Sequence, residues 1–108
     1  HIKMKKNYEI IFEKDVLLQL NKLHSKKDIT FLLNKIFDKI ELLGPLSGKL
    51  LSNKLALYES KMKSPPLRVY YTINEKKKQA YLIDFEMKSD GKKQKKTIGK
   101  IKKDLESN

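Results

Sequence analysis

The feature that most restricts the fold of this chain is a long apolar stripe that ends at a glycine–proline pair. Apolar side chains recur at helical spacing from Ile29 to Leu43, and Gly44 and Pro45 follow immediately. This pattern predicts an amphipathic helix that ends at the glycine. A shorter stripe in the region 16–23 predicts a first helix just before it, which runs to about His24. Two helices joined by so short a turn form an αα-hairpin, whose apolar face another element must cover.

Segments rich in β-branched and aromatic residues flank the helices and predict the covering sheet. The segment 8–12 predicts a first strand at or near the middle of the sheet. Three further strands are predicted at 54–62, 67–74 and 79–87. Their short turns favour an antiparallel meander, while 46–52 is expected to be a connection. The predicted fold is therefore α+β, in the order β-α-α-β-β-β, with the helices packed on one face of the sheet.

The chain has 108 residues, the length of one domain. We interpret residues 1–3, which precede Met4, as an expression-tag remnant ahead of a single domain at 4–108. Its last part, 88–108, is a lysine-rich C-terminal segment. A short, weakly amphipathic helix is predicted there from the spacing of Ile98, Ile101 and Leu105. The formal net charge of +12 predicts attraction to polyanions, although a lysine-rich genome would raise the charge without any nucleic-acid role.

Several classes of site are excluded by composition and motif. The chain has no cysteine, which excludes disulfides, thiolate nucleophiles and cysteine-bound metals. It lacks the glycine-rich phosphate loop, the dinucleotide fingerprint, the H-E-x-x-H zinc motif and the G-x-S-x-G nucleophile elbow. We therefore predict no metal and no small-molecule cofactor. No apolar run is long enough to span a bilayer and no secretory signal is visible, so we expect a cytoplasmic protein that does not bind membranes.

Strand alternation places a basic cluster on the sheet face away from the paired helices. Successive side chains of a strand point to opposite faces. In a hairpin register, Lys61, Arg68 and Tyr70 then meet on one open, concave surface, and Lys88 arrives from the end of the last strand. Such a cluster suits a phosphate, and the Tyr70 ring is the best candidate to stack on a base. Further candidate RNA-binding residues are Lys63, Lys92, Lys93, Lys95 and Lys96.

Arg68 is informative because it is the single arginine among 25 basic residues. Bidentate binding of phosphate or carboxylate is the task in which arginine surpasses lysine. The alternative is structural, namely a salt bridge to Glu59 on the neighbouring strand. From the residues alone, both interpretations stay open.

Three segments resemble the RelE/ParE superfamily of bacterial toxins, LYESKMK at 57–63, LRVYY at 67–71 and LIDFEMK at 82–88. With the order of elements, the resemblance covers nearly the whole chain from Tyr8 to Leu105. It implies a toxin that an acidic cognate antitoxin holds inactive. In the RelE and HigB branches, the target is mRNA in the ribosomal 30S A site. Their proposed chemistry needs no metal, since the ribose 2′-hydroxyl attacks the adjacent phosphate.

The resemblance also assigns roles to individual residues. Lys61, Arg68 and Lys88 match basic positions of the family and are the candidate catalytic cations that stabilise the phosphorane. Glu59 stands where RelE has a lysine, and it either acts as a general base or pairs with Arg68 and silences the site. RelE places a tyrosine of its C-terminal helix at the reacting phosphate, whereas this chain has Thr97 or Ile98 near that place.

Two alternatives to the endoribonuclease follow from these departures. ParE-like members share the fold but inhibit DNA gyrase by binding it, without a catalytic constellation. A non-enzymatic RNA-binding module that relies on the lysine-rich segment is the other alternative.

Overall fold

The computed structural model describes residues 6–23, 26–63, 66–87 and 91–107. The predicted tag remnant at 1–3, His24 at the predicted end of the first helix, and Lys88 lie outside the described residues. None of the helices in the described part of the chain is long and apolar enough to cross a membrane.

The described residues form five strands and three α-helices, with a single 3-10 turn. The chain order is β1 (Glu9–Phe12), α1 (Lys14–Lys22), α2 (Lys27–Leu43), the 3-10 turn (Gly44–Ser47), β2 (Lys49–Ser52), β3 (Leu57–Met62), β4 (Leu67–Asn74), β5 (Gln79–Met87) and α3 (Gly91–Glu106). The α+β class, the αα-hairpin and the antiparallel meander β3-β4-β5 are confirmed.

The strand order of the sheet is β1-β5-β4-β3-β2, and it corrects two expectations. β1 lies at an edge and pairs in parallel with β5, so its predicted place near the middle is wrong. Its apolar side chains Ile10 and Phe12 pack against the core from that edge, which explains the buried-strand pattern. The segment predicted as a connection contains β2, whose pairing with β3 includes Lys49 with Glu59 and Leu50 with Tyr58. So short and irregular a strand depends on its partner more than on its own sequence pattern.

The αα-hairpin covers one face of the sheet, as its apolar stripe requires. Leu33, Ile36, Phe37 and Ile40 of α2 pack against a set of sheet residues that includes Leu67, Val69, Tyr71 and Leu82. At the end of α2, Gly44 has a φ of +56°, and a Cβ there would lie 2.3 Å from the Tyr8 ring. Glycine therefore ends the helix for two reasons, its backbone conformation and the close approach of the ring.

The third helix packs on the opposite face. Ile101 of α3 joins Leu57 and Tyr70 in a second buried cluster, with Ile98 and Leu105 against it. Since Tyr70 and its neighbour Tyr71 point to opposite sides of β4, the two clusters lie on opposite faces. α3 is 16 residues long, longer than the short helix predicted from its spacing, and it covers part of the face expected to be open. Gly99 lies within this helix, and a Cβ at this position would meet no atom within 4 Å, so no close contact requires a glycine here.

Candidate active site

The sheet register brings two of the predicted basic residues, Lys61 and Arg68, together on the face away from the αα-hairpin. Lys61 on β3 lies opposite Arg68 on β4, and Glu59 lies opposite Tyr70. On its other side Arg68 lies opposite Glu86 of β5. Arg68 is therefore flanked by one lysine and one glutamate across the two strand pairs, with Glu59 on the diagonal.

The ion pair between Arg68 and Glu59 is present, but it is long. Arg68 Nη1 lies 3.9 Å from Glu59 Oε2, and the two side chains are 21% and 3% exposed. The same carboxylate oxygen accepts a hydrogen bond of 2.6 Å from Gln94 Nε2 on α3. Glu59 thus lies beneath the third helix and is held from above by a neutral donor.

Glu86 is a second carboxylate beside Arg68, which the sequence reasoning did not single out. Its Oε2 accepts a hydrogen bond of 2.8 Å from the Tyr70 hydroxyl, and its Oε1 accepts one from the Thr97 hydroxyl of α3. Alternation on β5, counted across from Arg68, could have found it. The β-bulge between Tyr70 and Tyr71 shifts the register of the β4-β5 pair and makes that count unsafe.

Tyr70 does not present its ring to solvent, which corrects the expectation that it could stack on a base. Its exposed fraction is 0%, because α3 packs over it through Ile101. Burial, together with the hydrogen bond to Glu86, raises the pKa of the Tyr70 hydroxyl far above its ordinary value of 10.0. The hydroxyl is therefore a permanent donor to Glu86 at physiological pH.

The candidate RNA-binding lysines form a basic rim around the cluster of Glu59, Arg68, Tyr70 and Glu86. Lys61 and Lys63 at the end of β3 are exposed, as are Lys92, Lys93, Lys95 and Lys96 in the first half of α3. The formal charges of Lys61 and Arg68 are balanced by those of Glu59 and Glu86. The positive field above this part of the sheet therefore comes mainly from Lys63 and from the four lysines in the first half of α3.

A separate cleft lies beside this cluster, between α1, β5 and α3. It has a volume of about 540 Å³, and its walls include Glu13, Asp15, Asp84 and Lys100. Burial raises the pKa of the Asp84 carboxyl, while Lys100 opposes the shift. In the described ranges 6–23, 26–63, 66–87 and 91–107, no group of three or more histidine or acidic side chains could hold a metal ion.

Comparisons with solved structures identify the fold. The chain is similar to the isolated RelE toxin of E. coli, with a TM-score of 0.63 and 20% identity over 87% of this chain and 98% of that one. It is also similar to a chain of the intact E. coli RelBE toxin–antitoxin complex, with a TM-score of 0.61 and 22% identity, covering 77% of this chain and 99% of that one.

A third similarity is to the toxin–antitoxin complex RelBE2 from Mycobacterium tuberculosis. Here the TM-score is 0.63 at 19% identity, over 82% of this chain and 98% of that chain. No protein-family model matches the sequence, and no curated protein matches it at a significant level. The chain therefore has a RelE-like toxin fold, which the three-dimensional arrangement shows and the sequence comparisons alone do not.

Proposed function

We propose that this chain, with residues 4–108 forming one domain, is the toxin of a toxin–antitoxin pair and cleaves mRNA on the ribosome. The observation that carries the proposal is the place of Arg68. The one arginine of the chain lies on the sheet face that the αα-hairpin leaves uncovered, with Lys61 directly across the strand pair. The likeness of the whole chain to RelE structures supports the same function.

The proposed reaction is an attack of the ribose 2′-hydroxyl on the adjacent phosphate, in which the O2′–P bond forms, the bond to the 5′-oxygen of the next nucleotide breaks and a cyclic phosphate remains. Water takes the proton of the 2′-hydroxyl and supplies one to the departing 5′-oxygen. Negative charge accumulates on the phosphorane during this step, and preorganised cations lower its free energy. We assign that role to Arg68 and Lys61, with Lys88 as the third cation from the sequence. The lysines of the rim, Lys63 and those of α3, would hold the flanking phosphates.

Glu59 is the least accessible of the charged groups in this cluster. A carboxylate that is 3% exposed and already accepts a hydrogen bond from Gln94 is not placed to take a proton from RNA. We therefore assign it no proton transfer. It is instead a buried negative charge 3.9 Å from the Arg68 guanidinium.

An acidic antitoxin is the expected partner. A formal net charge of +12 favours fast, salt-sensitive association with an acidic chain, which would cover the lysines of the rim. The two RelBE structures to which the chain is similar are toxin–antitoxin complexes by name. Together with the ribosomal target, this partner would place the protein in the cytoplasm.

Primer extension on messages under translation tests the proposed reaction. We expect cuts that depend on the protein, and we expect Arg68→Ala to slow them about a hundredfold, since one preorganised phosphate donor contributes roughly that much. Lys76→Ala, which removes an exposed cation from the β4-β5 turn, is the matched control and should cut like the parent.

The same assay separates the two alternatives from the nuclease. A gyrase inhibitor would leave RNA intact and arrest DNA supercoiling. A simple RNA-binding module would leave RNA intact and would leave DNA supercoiling unaffected. If Arg68→Ala cuts as fast as the parent protein, the assignment of that side chain is wrong.

A further inference from the structure

Arg68 and a side chain of α3 approach the same oxygen atom. Arg68 Nη1 is 3.9 Å from Glu59 Oε2, beyond the usual range of an N–H···O hydrogen bond. Gln94 Nε2 is 2.6 Å from that oxygen and donates a hydrogen bond to it. Gln94 thus hydrogen-bonds the same Glu59 oxygen with which the Arg68 guanidinium forms its long ion pair.

The carboxylate on the other side of Arg68 is occupied in a similar way. Glu86 accepts hydrogen bonds from the hydroxyls of Tyr70 and Thr97, so both of its oxygens have neutral donors. One donor for each carboxylate comes from α3. The third helix therefore does more than cover the sheet, because it supplies neutral partners to both acidic groups beside the one arginine.

Because Glu59 is buried, loss of its hydrogen bond from Gln94 would change the charge balance around Arg68. A carboxylate that is 3% exposed has little access to water, so loss of its neutral donor leaves an unsatisfied charge. The Arg68 side chain is flexible and 21% exposed, and a small change in its torsion angles would bring the guanidinium into a charge-assisted hydrogen bond with Glu59. In that state the guanidinium would be held by the protein and withdrawn from solvent.

We propose that Gln94 is a positioning residue, which keeps the Arg68 guanidinium available to an RNA phosphate by occupying the Glu59 carboxylate. The nature of the anion rests on the proposed function, whereas the competition between Gln94 and Arg68 for one oxygen does not. The sequence carries a matching signal, because Gln94 is the one uncharged residue within the stretch KKQKK at 92–96.

The first test measures binding to an RNA trinucleotide with 2′-O-methyl riboses, which cannot be cut by 2′-hydroxyl attack. Gln94→Ala should weaken binding about twofold to fivefold, in the range of one ion pair's contribution. The double variant Gln94→Ala/Glu59→Gln should restore it, since the neutral amide no longer attracts Arg68. Gln79→Ala is the matched control, because it removes a glutamine-to-glutamate hydrogen bond elsewhere on the sheet.

The second test needs no RNA. A double-mutant cycle between Arg68→Ala and Glu59→Gln, measured by chemical denaturation, gives the coupling between the two charges. The coupling should be larger in a Gln94→Ala background than in the parent, because there the guanidinium closes on the carboxylate. A purely structural role, in which Gln94 only anchors α3, predicts equal coupling in the two backgrounds.

These outcomes separate the positioning role from the proposed function. Equal coupling in the two backgrounds, or trinucleotide binding that Glu59→Gln fails to restore, overturns the role of Gln94. A larger coupling in a protein that cuts no RNA supports the positioning role and rejects the nuclease. If Gln94→Ala cuts RNA like the parent and the coupling is equal in the two backgrounds, the proposed nuclease function stands and the positioning role is rejected.

Discussion

The attachment of α3 to the sheet can be tested with a single buried isoleucine. Ile101 is 4% exposed and is the fully packed apolar residue of α3, in contact with the cluster of Leu57 and Tyr70. Replacement of a buried isoleucine by alanine removes its transfer free energy and leaves a cavity, for a total cost of about 2–5 kcal/mol. Beyond Ile101, the described helix is held by Ile98, Leu105 and the hydrogen bonds to the sheet carboxylates. We therefore expect Ile101→Ala to release α3 while the sheet stays folded.

Amide hydrogen exchange measures this release directly. A loss of about 2 kcal/mol in local stability corresponds to a roughly 30-fold faster exchange of the α3 amides. The amides of β4 and β5 should keep most of their protection, because the αα-hairpin still covers their other face. Arg68 should at the same time become more exposed, since part of its cover is removed.

Ile36→Ala is the matched control on the opposite face. Ile36 is 5% exposed in the core of α2 and the sheet, so its replacement has the same chemistry and a similar burial. We expect it to lower the global free energy of unfolding and to speed exchange throughout the sheet. If Ile101→Ala lowers the protection of α3 and of β4 equally, the view of α3 as a separately released element is refuted.

Two further predictions concern the backbone and the pH dependence of stability. Gly44→Ala should lower the melting temperature sharply, because the φ of Gly44 is +56° and a Cβ would overlap the Tyr8 ring. Gly99→Ala should instead raise the free energy of unfolding by about 0.5–1 kcal/mol, because Gly99 lies in an exposed helix interior with room for a Cβ. A melting temperature of Gly44→Ala equal to the parent's would contradict this reasoning. The pKa of Tyr70 is raised in the folded state from its ordinary 10.0, so its contribution to stability is complete below pH 10 and falls as the pH rises above it. Tyr70→Phe should reduce that alkaline loss in a pH series of denaturation curves, and an unchanged slope would count against the assignment.

Local patterns in the sequence determined much of this fold. The helical stripe that ends at Gly44 specified α2 and its buried face, since apolar spacing and a glycine stop act within one element. Alternation along β3 and β4 similarly placed Glu59, Lys61 and Arg68 on the face opposite the αα-hairpin, because successive side chains of a strand must point to opposite sides.

What surrounds those side chains was decided only by contacts between distant segments. The parallel pairing of β1 with β5 and the pairing of β2 with β3 depend on backbone partners that no local pattern specifies. The docking of α3 buries Tyr70 and brings Gln94 to Glu59, 35 residues away in sequence. Alternation can assign a side chain to a face, but whether that face stays open depends on where the rest of the chain packs, and this is set by tertiary burial.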